Sequence, residues 1–480
     1  MTDRILIKKV NEVVVKIFCS PSTAQELSDE FTFTVPNAKF HPKVRAKVWD
    51  GKIRLFNMLT REIYAGLVPA IEEFAASREY EVEYEYESGD EEFSLKEAEE
   101  FIESLNLPHV PREYQIEAFI YAMRKKRAVL LSPTSSGKSL IIYMLTRAYA
   151  EKTLIIVPTV SLVHQMASDF RDYGYKGEIH TITSGSEKNS NARVTISTWQ
   201  SIYKMPKEFF QQFKVVFGDE AHLFKATSLV SIMTKLTDCS YRFGLTGTLD
   251  GSLTNKLVLE GLFGKVRKVT TTSELMEQGH VSQLLIKALV LNHSPEDCDA
   301  AKKYTYQEEM DFLVRNEKRN KFIKNLVLSL DGGNTLVLYQ YVEKHGDKLF
   351  EMIKKETDRP VYYVHGGVDG EERDEIRSIV EKEDNAIIIA SYGTFSTGIN
   401  IKRLHNLIFA SPSKSIVRIL QSIGRILRKA DDKIGATLFD IADNLSHKSN
   451  VNYTLNHFKE RIKIYSTEGF EYKIYKVNLK

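Results

Sequence analysis

From about residue 110 the chain repeats one pattern, a short run of apolar residues alternating with a longer stretch of helical spacing. The runs "AVLL", "TLIIV", "VTIST", "KVVFGDE" and "RFGLTGT" are strand-length and nearly continuous in their apolar character. They read as buried strands, and buried strands alternating with helices predict a parallel sheet covered on both faces. After a transition near residues 270–295 the pattern returns in "NTLVLYQ", "PVYYVH", "NAIIIAS", "NLIFAS" and "GATLFDI", with helices such as "EERDEIRSIVEKE" between them. Past about residue 445 the tail reads as a helix and then an aromatic, Lys-rich strand.

Residues 1–90 follow another rhythm. "DRILIKKV" and "EVVVKIF" read as strands, "AGLVPAIEEFAAS" has helical spacing, and "YEVEYEYESGDEEF" reads as an acidic edge strand entering a polar linker. In "KVRAKVWDGKIRLFN" the Asp50-Gly51 pair between alternating segments predicts a β-hairpin. Strand period would then set Lys43, Arg45 and Lys47 on one face of a ribbon that also carries Lys52 and Arg54. Such a ribbon either grips a nucleic-acid backbone or is a solvated strand face, and Trp49 near the turn either stacks on a base or packs. The expected class is α/β: a small α+β domain (1–90), two tandem parallel-sheet domains (91–280 and 281–445) and a C-terminal extension (446–480).

Composition narrows the class without naming a partner. A hydrophobic share of 42% over 480 residues is ample for several cores. Lys and Arg total 66 against 64 acidic residues, so any basic surface must be local. Cys19, Cys239 and Cys298 form no CxxC pair, which excludes a structural zinc site of the usual spacing and fits a reducing cytosol. The charged start "MTDRILIKKV" and the lack of a membrane-length apolar run predict a soluble cytoplasmic protein with no membrane partner, and a monomer by default.

The chemistry gathers where strands end. "LLSPTSSGKSLII" is a strand, a small polar loop (Ser132, Pro133, Thr134, Ser135, Ser136, Gly137) and a helix whose free N–H groups face an anion. Gly137 permits close backbone approach, Lys138 would reach the β- and γ-phosphates of ATP, and the Ser139 hydroxyl would hold Mg²⁺. Ser132 stands where such loops usually carry a first glycine. "KVVFGDEAHLF" delivers Asp219, suited to the metal's surroundings, and Glu220, suited to activating the attacking water. In "QSIGRILR" a helix would carry Arg425 and Arg428 on one side with Gln421, as charges for the γ-phosphate in the transition state.

The loop, "DEAH", "LTGT" and "QSIGRILR", in this order and spacing, resemble the superfamily-two helicases, nearest their DNA repair and restriction-translocase branch. That resemblance spans residues 110–445 and implies two RecA-like domains that bind ATP in the cleft between them. It implies that Gln115, with Arg112, in "PREYQIEAF" reads adenine, and that Gly398 lies near the γ-phosphate. His222, Thr246 and Thr248 would relay nucleotide state to the nucleic acid. Thr159, Ser161 and Gln165 in "PTVSLVHQ", and Ser391, Thr394 and Thr397 in "SYGTFSTG", would hold backbone phosphates, contacts that carry no sequence information. Two departures stand out: Asn400 and Lys402 replace the acid and proline of the usual GxDxP, and Leu249 replaces the proline after TGT. The implied activity is that of an ATP-driven, 3′-to-5′ DNA helicase that unwinds and branch-migrates Holliday junctions, D-loops, R-loops and stalled forks. A duplex translocase that leaves strands paired, an RNA helicase and a nucleotide-gated clamp are the competing readings.

Overall fold

In the computed structural model, which describes residues 4–35, 38–224, 226–249, 252–398, 401–413, 415–430, 433 and 435–479, the first strands bury every second residue. Ile5 and Ile7 on β1 (Arg4–Lys9), and Val15 and Ile17 on β2 (Val14–Phe18), face the core while their neighbours are more exposed. Period-2 burial is what a sheet with one covered face requires. The cover comes from helices Pro21–Glu30 and Val68–Ala76, through Leu27, Ile71 and Phe74. β3 (Thr32–Thr34) and β4 (Lys52–Arg54) form a separate antiparallel ribbon. β5 (Glu62–Tyr64) and β6 (Glu81–Tyr84) complete a sheet of order β5-β2-β1-β6, with the acidic β6 at its edge.

The expected hairpin across residues 43–55 is not built. Pro42–Arg45 is a short helix whose start is capped by His41, its ring nitrogen accepting from the Lys43 N–H at 3.2 Å. A proline in the first turn with a capping side chain ahead of it favours helix over strand. Lys47 follows in the left-handed region at φ 57°. The Asp50-Gly51 turn does form, with Gly51 at φ 77°, but it returns the chain onto β3. Lys43, Arg45, Lys47, Lys52 and Arg54 are all exposed, yet the first three share no strand face. Trp49 packs locally: its indole N–H donates to the Lys52 carbonyl at 2.9 Å and its ring meets His41 edge-on.

β7 (Arg127–Leu131), β8 (Thr153–Val157), β9 (Ile179–Ile182), β10 (Val194–Thr198), β11 (Val215–Asp219), β12 (Tyr241–Thr246) and β13 (Val266–Lys268) make a parallel sheet of order β13-β7-β12-β11-β8-β10-β9. The apolar runs are continuous because both faces are covered. On β8, Ile155 and Val157 pack with helices Glu113–Lys125, Lys138–Tyr149 and Val160–Asp172, while Leu154 and Ile156 pack with helices Thr227–Lys235 and Leu253–Leu262. The edge strands β9 and β13 went unanticipated because they are short and only partly buried, which leaves little hydrophobic signal. Buried Arg242 ties the second face together, donating from its three guanidinium nitrogens to the carbonyls of Leu262, Leu236 and Met233. A cation there offsets the negative ends of helices Thr227–Lys235 and Leu253–Leu262. The N-terminal domain belongs to the same compact unit as this sheet, and the chain from Thr270 onward, together with the loop residues Pro133–Ser136, falls in a second unit.

The second unit holds β14 (Gln283–Asn292), β15 (Asn334–Tyr339), β16 (Val361–Val364), β17 (Ile387–Ser391), β18 (Leu404–Phe409), β19 (Gly435–Asn444) and β20 (Glu471–Asn478). Their order is β16-β17-β15-β18-β19-β14-β20, parallel throughout. The transition segment supplies β14, and the C-terminal extension supplies the edge strand β20 of the same sheet. Buried Glu309 anchors the extension: its carboxylate accepts from the N–H groups of Tyr453 (2.9 Å) and Thr454 (2.7 Å), from the Thr454 hydroxyl and from the Asn452 amide. A carboxylate at the start of helix Tyr453–Thr467 complements its dipole. No helix among the described residues is long and apolar enough to cross a membrane.

Candidate active site

Three strand ends of the first sheet lie level. Register pairs Leu131 with Thr246 and Leu245 with Asp219, so the loops after β7, β12 and β11 leave from one edge. β12 separates the phosphate-loop strand from the acidic strand, which are next-nearest neighbours rather than adjoining. The carboxyl edge of an open parallel sheet is where ligands bind.

The loop from Ser132 to Gly137 turns sharply, with Ser135 at φ 70° and Gly137 at φ 76°. Glycine suits the second position because its backbone is left-handed, and a Cβ there would also have to displace the Gln115 amide nitrogen, 2.4 Å away. Ser132 and Ser136 are buried, the Ser132 N–H donates to the Thr246 carbonyl at 2.8 Å, and the Ser136 hydroxyl donates to the Pro133 carbonyl at 2.7 Å. Small side chains are therefore required at Ser132, although a left-handed backbone is not. Helix Lys138–Tyr149 starts directly after Gly137 and has no acidic residue in its first turn, which leaves the positive end of its dipole uncompensated. Lys138 Nζ reaches back to the Ser132 carbonyl at 3.3 Å, and Ser139 Oγ lies 2.9 Å from the Tyr173 hydroxyl. Gln115 is buried; its amide oxygen accepts from the Arg112 N–H at 2.9 Å and its amide nitrogen donates to the Gly137 carbonyl at 3.4 Å. Arg112 turns its guanidinium to the Tyr114 hydroxyl.

Asp219 ends β11, and Glu220 follows in the left-handed region at φ 51°. A non-glycine residue held there stores backbone strain, a feature that gathers at functional sites. Burial, and next the neighbouring Glu220 carboxylate, push the Asp219 carboxyl above its usual range, while Lys138 pulls it down. His222 Nδ1 stands 3.4 Å from Glu220 Oε2 and 2.9 Å from Thr246 Oγ1, which itself donates to the Thr248 carbonyl at 2.9 Å. The acid, the imidazole and the "TGT" strand end thus form one polar chain. The Thr248 hydroxyl is buried with no hydrogen-bond partner among the described residues, and Leu249 packs on the sheet's second face.

These residues fit a magnesium–nucleotide complex. An unopposed helix N-terminus and Lys138 suit phosphates, and two crowded carboxylates suit a divalent cation. Among the described residues no cluster of three or more acidic, His or Cys side chains could cage a metal alone, so phosphates and water would complete the shell, as Mg²⁺ prefers.

In the second unit, helix Ile416–Ile426 carries Gln421 and Arg425 on its partly exposed side. The helix stops at Ile426 with Leu427 as its cap, so Arg428 lies beyond it rather than one turn along a helical face. Arg425 donates to the Phe395 carbonyl and stacks over the Phe395 ring, 5.2 Å from its centroid. It is thereby tied to helix Tyr392–Gly398, the "YGTFSTG" segment. At that helix start Ser391 Oγ accepts from the Thr394 N–H and contacts its hydroxyl at 2.8 Å. Gly398 closes the helix; the Thr397 side chain and the Asn400 departure lie outside the described residues, and the Lys402 N–H donates to Glu381. In the first unit Thr159 caps helix Val160–Asp172, its hydroxyl accepting from the Leu162 N–H, with Ser161 and Gln165 exposed in the following turns. Sequence reasoning missed Tyr173: it continues the apolar spacing of Val163, Met166 and Phe170, so it reads as core.

Three family descriptions match the chain: "DNA helicase UvsW, N-terminal" over residues 5–85, "Type III restriction enzyme, res subunit" over 108–251 and "Helicase conserved C-terminal domain" over 317–430. The chain is 38% identical over 493 aligned residues to the ATP-dependent DNA helicase uvsW of Enterobacteria phage T4, covering 97% of this chain and 98% of that protein. It is 23% identical to the DNA 3′-5′ translocase XPB2 of Sulfurisphaera tokodaii, across 69% of this chain and 83% of that one. The crystal structure of T4 UvsW covers all of both chains (100% each) at a TM-score of 0.52 and 35% identity.

Proposed function

Because the chain belongs to the UvsW family of ATP-dependent DNA helicases of recombination and repair, we propose that it moves 3′-to-5′ along DNA to unwind and branch-migrate Holliday junctions, D-loops, R-loops and stalled forks. The observation that carries this reading is the set of level strand ends, which brings Lys138, Asp219, Glu220, His222 and Thr246 to one edge of the first sheet. The curated relative XPB2, described as a 3′-5′ translocase, supports the polarity.

In this reading the backbone of residues 132–137 and Lys138 hold the triphosphate, Arg112 and Gln115 border the adenine, and Ser139 with Asp219 hold Mg²⁺. The cation, when bound, offsets charge on the β- and γ-phosphates. Glu220 orients the attacking water, and Gln421, Arg425 and Arg428 place positive charge and a hydrogen-bond donor at the γ-phosphate as negative charge shifts in the transition state. His222 links Glu220 to Thr246, so a change at the water-activating acid alters the strand end that leads into Thr248. Thr159, Ser161 and Gln165, with Ser391, Thr394 and Thr397, hold DNA phosphates, and the exposed Lys43, Arg45, Lys47, Lys52 and Arg54 add backbone contacts at a branch. The chain works as a monomer in a host cytoplasm, with the N-terminal domain (1–90) selecting branched DNA and the helicase domains (91–280 and 281–445) supplying the motor.

The test compares ATP turnover and released strands on a forked duplex with a 3′ tail, one with a 5′ tail, a four-way junction and an R-loop. Release from the 3′-tailed fork and from the junctions is expected. ATP turnover on duplex DNA without released strands would instead favour a translocase that leaves strands paired.

A further inference from the structure

The Ser139 hydroxyl has a protein partner that no phosphate-loop pattern foretells. Tyr173 follows helix Val160–Asp172, and its phenol oxygen lies 2.9 Å from Ser139 Oγ. The ring is seated against Tyr143, one turn past Ser139 on the loop's own helix and 5.3 Å away, and Tyr143 in turn meets Phe170 edge-on at 5.3 Å. The packing leaves the phenol oxygen directed at the one hydroxyl that opens the helix.

A serine hydroxyl offers one proton and two lone pairs and rotates freely unless a partner stops it. With Tyr173 donating, one lone pair of Ser139 is occupied and the rotor is set. The second lone pair is left for a cation and the proton for a phosphate oxygen.

We infer that Tyr173 is a positioning residue for the metal: its hydroxyl holds Ser139 Oγ in the orientation that ligates the divalent cation of the bound nucleotide. The inference rests on the reading of Ser139 as a ligand. It also gives helix Val160–Asp172 two ends with distinct tasks, DNA phosphates at its Thr159 cap and the positioning of Ser139 by Tyr173 just past its last turn. Supporting partners of this kind are worth about 10-fold or more in metal affinity.

The experiment titrates Mg²⁺ into the full-length protein with a fluorescent ADP and, separately, measures ADP affinity in EDTA, for the native chain, Tyr173→Phe, Ser139→Ala and the double variant. Tyr173→Phe keeps the ring and its packing. The expected result is an Mg²⁺ half-saturation raised about 10-fold in Tyr173→Phe, with unchanged affinity in EDTA, and a double variant no worse than Ser139→Ala. Unchanged EDTA affinity also certifies that the nucleotide site is folded. If Ser139→Ala shifts the titration while Tyr173→Phe follows the native curve, Tyr173 is only packing and the inference is overturned. If Ser139→Ala itself leaves the titration unmoved, the assignment of Ser139 as a ligand has failed, and the role of Tyr173 falls with it.

Discussion

His345 in the second unit offers a stability test that can be worked from geometry. The ring is fully buried between Ser411 Oγ, 3.0 Å from Nδ1, and Asn320 Oδ1, 3.2 Å from Nε2. The Asn320 amide nitrogen donates to the Val314 carbonyl, which turns its oxygen toward the ring, so Nε2 carries the proton. The Gln340 N–H donates to Ser411 Oγ, which frees that hydroxyl to donate to Nδ1. Every site around the neutral imidazole is matched, and a second ring proton would meet a hydroxyl already pointing at it. Burial, then the nearby Arg319, lower the group from its ordinary 6.5 to about 3, with Asp443 opposing. The sign follows from proton counting: below pH 6.5 the unfolded chain binds a proton that the folded chain refuses, so stability is full above that value and lost as pH falls. The slope is about 1.4 kcal/mol per pH unit, hence about 1.4 kcal/mol between pH 7.5 and 5.5. For a unit of this size that is roughly 3–6 °C in the unfolding midpoint. Both tryptophans, Trp49 and Trp199, lie in the first unit, so the assay is hydrogen exchange of the β15 and β17 amides rather than fluorescence. His345→Gln retains a donor toward Asn320 and should remove most of the slope. Superimposable pH profiles for the native chain and His345→Gln would refute the reasoning.

Other outcomes follow from the same geometry. Lys138→Ala or Glu220→Gln should abolish DNA-stimulated ATP hydrolysis while DNA binding in a filter or anisotropy assay survives; retained turnover in Glu220→Gln would mean that another group activates the water. Arg242→Met strips three buried carbonyls of their donor, and a calorimetric loss of about 3 kcal/mol or more is expected for the first unit; a loss below 1 kcal/mol would show that the carbonyls find other partners. Replacing Lys43, Arg45 and Lys47 by Ala should lower the slope of log affinity against log salt on branched DNA by roughly 1–3. An unchanged slope would reduce that segment to scaffold.

Fold class and the candidate nucleotide residues could be read from the chain because both are written in contiguous stretches. A doubly covered strand is an unbroken apolar run, and a phosphate loop must place glycine, lysine and a hydroxyl in successive positions to open a helix. What escaped depended on partners distant in sequence. The hairpin expectation weighed Asp50-Gly51 correctly as a turn, but Pro42 and the His41 cap decided the conformation ahead of it, and β3 rather than residues 43–48 received the returning strand. β14 reads as a transition because the Lys287 in its middle breaks the apolar run, yet β19 on one side and β20 on the other bury most of its length. Tyr173 was hidden by its own periodicity, since spacing reports which side chains face the core and says nothing of where a hydroxyl at the end of an aromatic ring arrives. The same blindness covers Glu220: "DEAH" names the acid, but its left-handed backbone and its link through His222 to Thr246 arise only when β11 and β12 lie side by side. Motif spacing therefore picks out the candidate groups for the phosphates, whereas the partners they meet, Tyr173 at Ser139, His222 at Glu220 and Gln115 at Gly137, are set by packing between elements. Substitutions at those three should accordingly change metal dependence (Tyr173), coupling (His222) or nucleotide affinity (Gln115) before they abolish hydrolysis.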